Sequence, residues 1–232
     1  MTAADAPAVP MLLIGHGRMG KLVESLAPAH GLRIAGVVSR STADRPDDWP
    51  TAEVAIDFSL GEAVPQTVLH LAARGTNIVI GTTGWQAHEA AVRAEVERRG
   101  IGVVAAPNFA IGVNLFSAIV ERSAELMAGY PAFGAWIHEL HHAAKRDAPS
   151  GTALALEAAM RARGYVHPVD VSSTRAGSIP GTHTVGFDAA AETITLTHTA
   201  RDRSGFARGA LEAARWVRGR QGWFTMRDVL GI

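Results

Sequence analysis

The chain has 232 residues, 47% of them hydrophobic and 19% charged, and 22 basic residues balance 22 acidic ones. That is enough apolar chain for a sizeable core, in one domain or in two small ones. Zero net charge gives no general attraction to nucleic acid or to an anionic membrane, and the lack of cysteine excludes disulfides and thiolate metal sites. No apolar run approaches the ~20 residues needed to cross a bilayer. Met1 to Pro10 has no basic segment ahead of an apolar run, so a secretory signal is not expected and a cytoplasmic location is.

Residues 11–14, Met-Leu-Leu-Ile, form a short apolar run that ends in Gly15-His16-Gly17-Arg18-Met19-Gly20, and Lys21 to Ala27 reads as a helix. Strand, G-x-G-x-x-G and helix, in that order, form the context of a dinucleotide fingerprint. Gly15 and Gly17 allow the tight turn and the close approach of a pyrophosphate, and Gly20 lets helix pack on strand. A second apolar run, Ile34 to Val38, follows at the expected distance and ends at Ser39-Arg40. NAD-binding chains place an acid there for the ribose 2′-hydroxyl. A hydroxyl beside a guanidinium suits a 2′-phosphate better, so NADPH is the expected cofactor. NADH is the alternative, through Asp44, Asp47 or Asp48.

The alternation then continues. Val54 to Ser59 reads as a strand, Glu62 to Arg74 as a helix, and Asn77 to Ile80 as a strand ending at Gly81-Thr82-Thr83-Gly84. Ala87 to Arg99 is the next helix, and Gly102 to Ala105 the next strand, ending at Ala106-Pro107-Asn108-Phe109. Such alternation predicts a Rossmann-like, doubly wound parallel sheet, whose ligands bind beyond the carboxyl ends of its strands. The loops Gly15–Gly20, Ser39-Arg40, Gly81–Gly84 and Pro107–Phe109 lie there.

After Asn108 the rhythm changes. Asn114 to Met127 reads as an amphipathic helix, followed by a strand leading into residues 139–152 and a helix from Ala153 to Arg163. Asp170–Thr174, Thr184–Asp188 and Thr193–Thr199 are rich in threonine and β-branched residues, which favour strand pairing. This predicts a second, α+β domain with an open mixed sheet, one face of which is apolar and needs cover, most simply from a partner subunit. Phe206 to Val217 reads as a helix returning to the first domain. The expected division is 1–107, completed by 203–232, for dinucleotide binding, and 108–202 for substrate binding and oligomerisation.

The stretch Glu139-Leu140-His141-His142-Ala143-Ala144-Lys145-Arg146-Asp147-Ala148-Pro149-Ser150-Gly151-Thr152 concentrates polar groups that need partners, so it is either a solvated loop or a site. Ser150 or Thr152 can cap the following helix, whose free N–H groups then form a receptor for a carboxylate or phosphate. Lys145 could supply the countercharge. It is one of only two lysines, with Lys21, in a chain that otherwise uses arginine. His138-Glu139-Leu140-His141-His142 also spells H-E-x-x-H, which a zinc hydrolase would use through His138, Glu139 and His142. That motif needs a helix. The residues upstream read as a turn and a strand, on which Glu139 and His141 share one face while His138 and His142 share the other. No metal is expected.

These residues carry a resemblance along nearly the whole chain. Gly17-Arg18-Met19-Gly20, Ile56-Asp57-Phe58-Ser59, Gly81-Thr82-Thr83-Gly84, Ala106-Pro107-Asn108-Phe109 and Gly112-Val113-Asn114 are similar to the motifs of the 4-hydroxy-tetrahydrodipicolinate (dihydrodipicolinate) reductases. Glu139 to Ala153 resembles that family's E-x-H-H-x-x-K-x-D-x-P-S-G-T-A signature, and Arg175 to His183, Phe206, Gly209-Ala210 and Trp216 match further on. The resemblance implies His141 as acid/base, Lys145 as the second catalytic residue, and His142, Ser150, Gly151 and Thr152 as holders of substrate carboxylates. The dinucleotide is expected at the strand-end loops read above, on Gly15, Gly17, Arg18, Met19, Gly20, Ser39, Arg40, Gly81, Thr82, Thr83, Pro107, Asn108 and Phe109. The resemblance implies a hydride moving from NAD(P)H to C4 of a dicarboxylate ring in lysine and diaminopimelate synthesis, and a homotetramer. Ile14 stands where many members have the first glycine of the loop, and Ser39 where many have an acid. The chain is also shorter, with Ser39–Glu53 the expected place of loss. Another NAD(P)-linked reductase of a small amino-acid intermediate would share the first domain but has no use for the 139–152 stretch.

Overall fold

The computed structural model describes residues 7–232, so the expectation for Met1 to Pro10 lies mostly outside the described residues. Two compact units result: the residues up to Ile111 together with Ser204–Ile232, and Gly112–Arg203. Among the described residues, no helix is long and apolar enough to cross a membrane.

The first unit is built on β1 (Val9–Ile14), β2 (Leu32–Val38), β3 (Val54–Asp57), β4 (Asn77–Ile80), β5 (Gly102–Ala105) and β10 (Gly222–Phe224). They form one sheet in the order β10-β5-β4-β3-β1-β2, with every pair parallel. Its helices are α1 (Arg18–Leu26), α2 (Val64–Ala73), α3 (Glu89–Arg99), α6 (Ser204–Val217) and α7 (Met226–Leu230). The strands are apolar on both sides because helices cover both faces. Met11, Leu13, Val54, Ile56 and Val79 pack in one cluster with Val23 of α1 and Ala210, Ala214 and Val217 of α6. Their alternate neighbours Leu12, Ile14, Ala55, Ile78 and Ile80 pack in another with Val68 of α2 and Val92 and Val96 of α3. Period two along each strand thus feeds two cores.

Three details differ from the sequence expectation. The first helix begins at Arg18, not Lys21, so Gly17 is its N-cap and Arg18 and Met19 form its first turn. The helices expected from Glu62 and Ala87 open with 3-10 turns at Gly61–Ala63 and Gln86–His88. The edge strand β10 and the helix α7 were not anticipated at all: three and five residues are too few to carry a periodic signal. A capping box at Thr225 and Asp228 marks the start of α7.

The second unit contains α4 (Ile111–Met127), β6 (Gly134–His141), α5 (Gly151–Ala162), β7 (Val169–Arg175), β8 (Thr182–Asp188) and β9 (Thr193–Thr199). Strand order is β7-β6-β8-β9, with β6 parallel to β7 and antiparallel to β8, and β8 antiparallel to β9. Ala135, Ile137, Val185 and Phe187 on one face pack against Phe116, Val120 and Ala124 of α4 and Leu156 and Met160 of α5. The expected uncovered apolar face is therefore covered from within the unit. By register, the opposite face carries Ser172, Thr174, His138, Thr182, Thr184, Thr195, Thr197 and Thr199, with Trp136 and Leu140 as its larger apolar members. It is a hydroxyl-rich face, because β7, β8 and β9 place their threonines and Ser172 there and their valines, isoleucine, leucine and phenylalanine inward.

Candidate functional site

In the first unit the glycine loop is held by close backbone contacts. The Gly15 N–H donates to Val38 O at 2.8 Å. Gly15 has φ +90°, and a Cβ there would stand 2.4 Å from Phe58 O. Gly20 lies on the first turn of α1 with its Cβ position 2.1 Å from Gly15 O, so it packs on the loop carbonyl more than on the strand. Gly17 has open space around its Cβ position. Beside the loop is a cleft of about 490 Å³ lined by Gly15, Gly17, Ser39, Arg40, Phe58 and Ser59, among others. Arg40 is exposed, and among the described residues no carboxylate pairs with it. Ser39 Oγ lies 2.9 Å from Ser41 Oγ, and the Ser39 N–H donates to Thr42 Oγ1 at 3.0 Å. An exposed guanidinium at the rim and α1's free N–H groups at the base suit a phosphorylated dinucleotide.

The other strand-end loops divide between surface and support. Thr83 and Pro107 are exposed. Thr82 is buried, and its hydroxyl donates to Asp57 Oδ1 at 2.8 Å, while that oxygen also accepts the Ser59 N–H at 2.8 Å. Burial pushes the Asp57 carboxyl above its usual range, against these hydrogen bonds. Gly81 lies under the Phe58 ring, 2.2 Å from its Cβ position. Asn108 Oδ1 accepts the Ala110 N–H at 2.9 Å. Phe109 is only 2% exposed and stacks edge-on to Phe58, with ring centroids 6.4 Å apart. Thr82, Asn108 and Phe109 therefore present backbone, not free side chains, to a ligand. A second cleft, of about 480 Å³, is lined by Thr82, Pro107, Trp85 and Trp223 at the ends of β4, β5 and β10.

In the second unit the covered sheet face turns polar at one end. Along β6 the inward residues run Ala135, Ile137, Glu139, His141, and register sets Ser173 and Arg175 of β7 and His183 of β8 beside the last two. Glu139 is fully buried. Its Oε1 accepts Arg175 Nη2 at 2.5 Å and the Ser150 N–H at 3.2 Å, and its Oε2 meets His141 Nδ1 in a short hydrogen bond. Burial pushes this carboxyl up, but hydrogen bonds from Arg175, Ser173 and His141 outweigh it and hold the pKa at about 2. His141 is lowered chiefly by burial and opposed by Glu139, with Lys145 and Arg175 adding to the depression. His183 is pushed to about 4, first by burial and then by His141, so it is neutral near pH 7.

The rest of the 139–152 stretch surrounds this end. Ser150 is the N-cap of α5: its Oγ accepts the Ala153 N–H at 3.2 Å and lies 3.2 Å from His183 Nε2. Its groups are thus engaged within the unit, which makes it the cap of the turn. Gly151, exposed, and Thr152, half-buried, form the first turn, where N–H groups have no partner four residues back. Lys145 Nζ donates to both carboxylate oxygens of Asp147 at 2.8 Å. That hydrogen bond, aided more weakly by the Gly151 N–H, holds the Asp147 carboxyl below its usual range. The chain's own carboxylate thus sits where lysine and helix terminus converge. His142 is half-buried just beyond β6, and its carbonyl accepts the Lys145 N–H at 3.0 Å.

The H-E-x-x-H reading fails on geometry. His138 to His141 lie on a strand, His138 Nε2 is 3.0 Å from Thr174 Oγ1 on the open face, and Glu139 is on the covered one. The three donors that do converge are Glu139, His141 and His183, within 4.8 Å of one another. Arg175 on the same carboxylate makes that group an ion-pair network. Arg175 and His183 were not singled out as functional from sequence. Their signal was register: Arg175 pairs with His141 and His183 with Glu139.

A parallel sheet with a glycine loop, joined to an α+β unit that buries an ionised acid–histidine pair, is the build of a dinucleotide-dependent oxidoreductase. The profile "Dihydrodipicolinate reductase, N-terminus" matches residues 9–109, and "Dihydrodipicolinate reductase, C-terminus" matches residues 112–230. A 4-hydroxy-tetrahydrodipicolinate reductase of Stenotrophomonas maltophilia (strain K279a) is 41% identical over 241 residues, covering 95% of this chain and 98% of its own. One from Acidiphilium cryptum is 40% identical over 236 residues, covering 93% and 94%. A dipicolinate-bound dihydrodipicolinate reductase from Paenisporosarcina sp. TG-14 shares the fold with a TM-score of 0.76 at 20% identity, covering 93% of this chain and 97% of its own. The chain belongs to the dihydrodipicolinate reductase family.

Proposed function

We propose that the chain reduces 4-hydroxy-tetrahydrodipicolinate to tetrahydrodipicolinate in lysine and diaminopimelate synthesis, in the cytoplasm, using NADPH. The first unit binds the dinucleotide, and the second binds the dicarboxylate and pairs subunits into a homotetramer. The observation that carries the reading is the buried Glu139–His141 pair beside Lys145 and the N-terminus of α5. It joins a proton-carrying group to an anion receptor, as reduction of a dicarboxylate requires.

When bound, the nicotinamide supplies a hydride to C4 of the ring. The ring hydroxyl first leaves as water with a proton from the neighbouring carbon, forming a double bond to C4, and His141 delivers to that carbon the proton that accompanies the hydride. One substrate carboxylate displaces Asp147 from Lys145 and the Gly151–Thr152 N–H groups, with His142 alongside. That exchange is cheap, because an exposed ion pair such as Lys145–Asp147 contributes about 0–1 kcal/mol. Lys145, freed from Asp147, then steadies charge that develops in the transition state. Arg40 pairs with the 2′-phosphate, and Gly15, Gly17 and Gly20 give the pyrophosphate its close approach.

The test is NADPH oxidation on supplying 4-hydroxy-tetrahydrodipicolinate. His141→Gln is expected to lower kcat by ~10²–10⁴-fold, the usual worth of general acid–base help. Lys145→Ala should also lower kcat strongly, and Thr152→Ala should mainly raise KM, since it removes a contact common to ground and transition states. NADPH affinity should hold in all three. Near-normal kcat in folded His141→Gln and Lys145→Ala would show that this stretch is not the catalytic centre.

A further inference from the structure

We propose that Glu139 is a positioning residue for His141, fixing the imidazole with its proton on Nδ1 and presenting Nε2 beside Gly181 as the atom that exchanges a proton with the substrate. This rests on the assignment of His141 as the acid/base group. Four observations converge on it. Glu139 is fully buried, an unusual place for a carboxylate unless it is held by partners. Its two oxygens divide their work: Oε1 takes Arg175 and the Ser150 N–H, and Oε2 takes His141 Nδ1. An ionised carboxylate only accepts, so Nδ1 must carry the proton and Nε2 is left as acceptor in the neutral ring. Finally, a Cβ on Gly181, which has φ +138°, would stand 3.1 Å from Nε2, so a side chain at that position would crowd this nitrogen.

The groups facing His141 come from every element around it. Glu139 is on its own strand, Arg175 on β7, and His183 on β8 with ring centroids 5.1 Å apart, while Lys145 lies in the loop before α5. His183 is neutral near pH 7 and adds no charge. Lys145 and Arg175 both disfavour the imidazolium, and Glu139 is the group that favours it. Arg175 serves the pair indirectly: it keeps Glu139 ionised and also donates to Asp147 O at 2.6 Å, tying the carboxylate to the loop that carries Lys145. The sign is therefore fixed. His141 acts as an acid only while protonated, so kcat falls as pH rises through its pKa. Removing the Glu139 charge moves that fall to lower pH.

The experiment compares Glu139→Gln and Glu139→Asp with the wild-type protein. Glu139→Gln keeps the size and one acceptor but not the charge. It should lower kcat by about 10–100-fold, in the range found for partners that orient a functional histidine, with KM and NADPH affinity within about twofold. The high-pH limb of kcat should move to lower pH, and Glu139→Asp should restore part of both. In parallel, ¹⁵N NMR of histidine-labelled wild-type protein should show neutral His141 protonated on Nδ1, a readout that needs no activity and decides the point even if Glu139→Gln fails to fold. A folded Glu139→Gln with normal kcat and an unmoved limb overturns the proposal, as does an Nε2–H tautomer. Equal losses in kcat, KM and thermal stability, with no change in the pH profile and no rescue by Asp, would mark Glu139 as structural only. If wild-type protein shows no reductase activity while the tautomer is as expected, the functional reading fails and the pair stands.

Discussion

Two glycines three positions apart, Gly17 and Gly20, separate what the dinucleotide loop owes to its own packing from what it owes to a ligand. Gly20 is helical, so alanine there gains about 0.5–1 kcal/mol of backbone preference. Against that, its Cβ would stand 2.1 Å from Gly15 O and 3.0 Å from Gly15 C, both backbone atoms. The loop has little room to retreat, because the Gly15 N–H is tied to Val38 O at 2.8 Å and Gly15 itself packs against Phe58 O. Overpacking of this kind costs about 1–3 kcal/mol, so Gly20→Ala should leave the free protein less stable by roughly 1–2 kcal/mol. It should also displace the loop and weaken NADPH. Gly17 is the opposite case. It has φ −75° and nothing within 4 Å of its Cβ position. As an N-cap without a side-chain bond, its change to alanine should cost under about 1 kcal/mol. Only a ligand at the N-terminus of α1 would meet the new methyl group. Gly17→Ala should therefore raise the NADPH dissociation constant at least about tenfold, about 1.4 kcal/mol, with little loss of stability. Urea unfolding of the free variants and calorimetric NADPH titration measure the two terms separately. If Gly17→Ala binds NADPH as wild type does, no pyrophosphate approaches this loop. If Gly20→Ala is as stable as wild type, the backbone contact has been misjudged.

Arg40→Ala should weaken NADPH by about 1.5–3 kcal/mol, the worth of hydrogen bonds to a charged group, and leave NADH nearly unchanged. Equal losses for both cofactors, or a wild-type preference for NADH, would refute the assignment of Arg40 to the 2′-phosphate. Sedimentation velocity should give a tetramer, and a stable monomer at micromolar concentration would contradict the assembly proposed for the second unit.

Most of the first unit could be read from sequence because its strands are buried on both faces. Asn77–Ile80 and Gly102–Ala105 are apolar after their first residue and lie between Gly, Thr or Pro within two positions on each side, and the structure reproduces both spans. What failed was short or depended on neighbours. β10 is three residues at a sheet edge, and its parallel pairing with β5 is a tertiary fact. The face of the second sheet was misassigned for a related reason. Alternation in Thr193–Thr199 shows that the strand has two unlike faces, but not that α4 and α5 claim the apolar one. The hydroxyl-rich remainder still leaves Trp136 and Leu140 on the uncovered side, with the Trp136 ring lying across Gly186, whose Cβ position is 2.2 Å from it.

The site shows the same division between local and non-local information. Alternation along residues 138–142 places Glu139 and His141 on one face, and Ser150 as a cap follows from the helix after it. Nothing local says that the face is buried, or that hydrogen bonds from Arg175, Ser173 and His141 outweigh that burial and hold Glu139 at a pKa of about 2. That value depends on Arg175, 36 residues away, which reaches Glu139 because β7 runs parallel to β6 in a register opposing His141 to Arg175. Ser150 likewise spends its N–H on Glu139 and its hydroxyl on His183, so the cap of α5 and the acid–histidine pair are one hydrogen-bonded assembly. The groups proposed to meet a dicarboxylate are then among those that the assembly leaves over. These are Lys145, now on Asp147, the Gly151 and Thr152 turn, and Nε2 of His141. The signature thus separates into a buried frame, Glu139 and Ser150 with Arg175 and His183, and the groups that the frame presents.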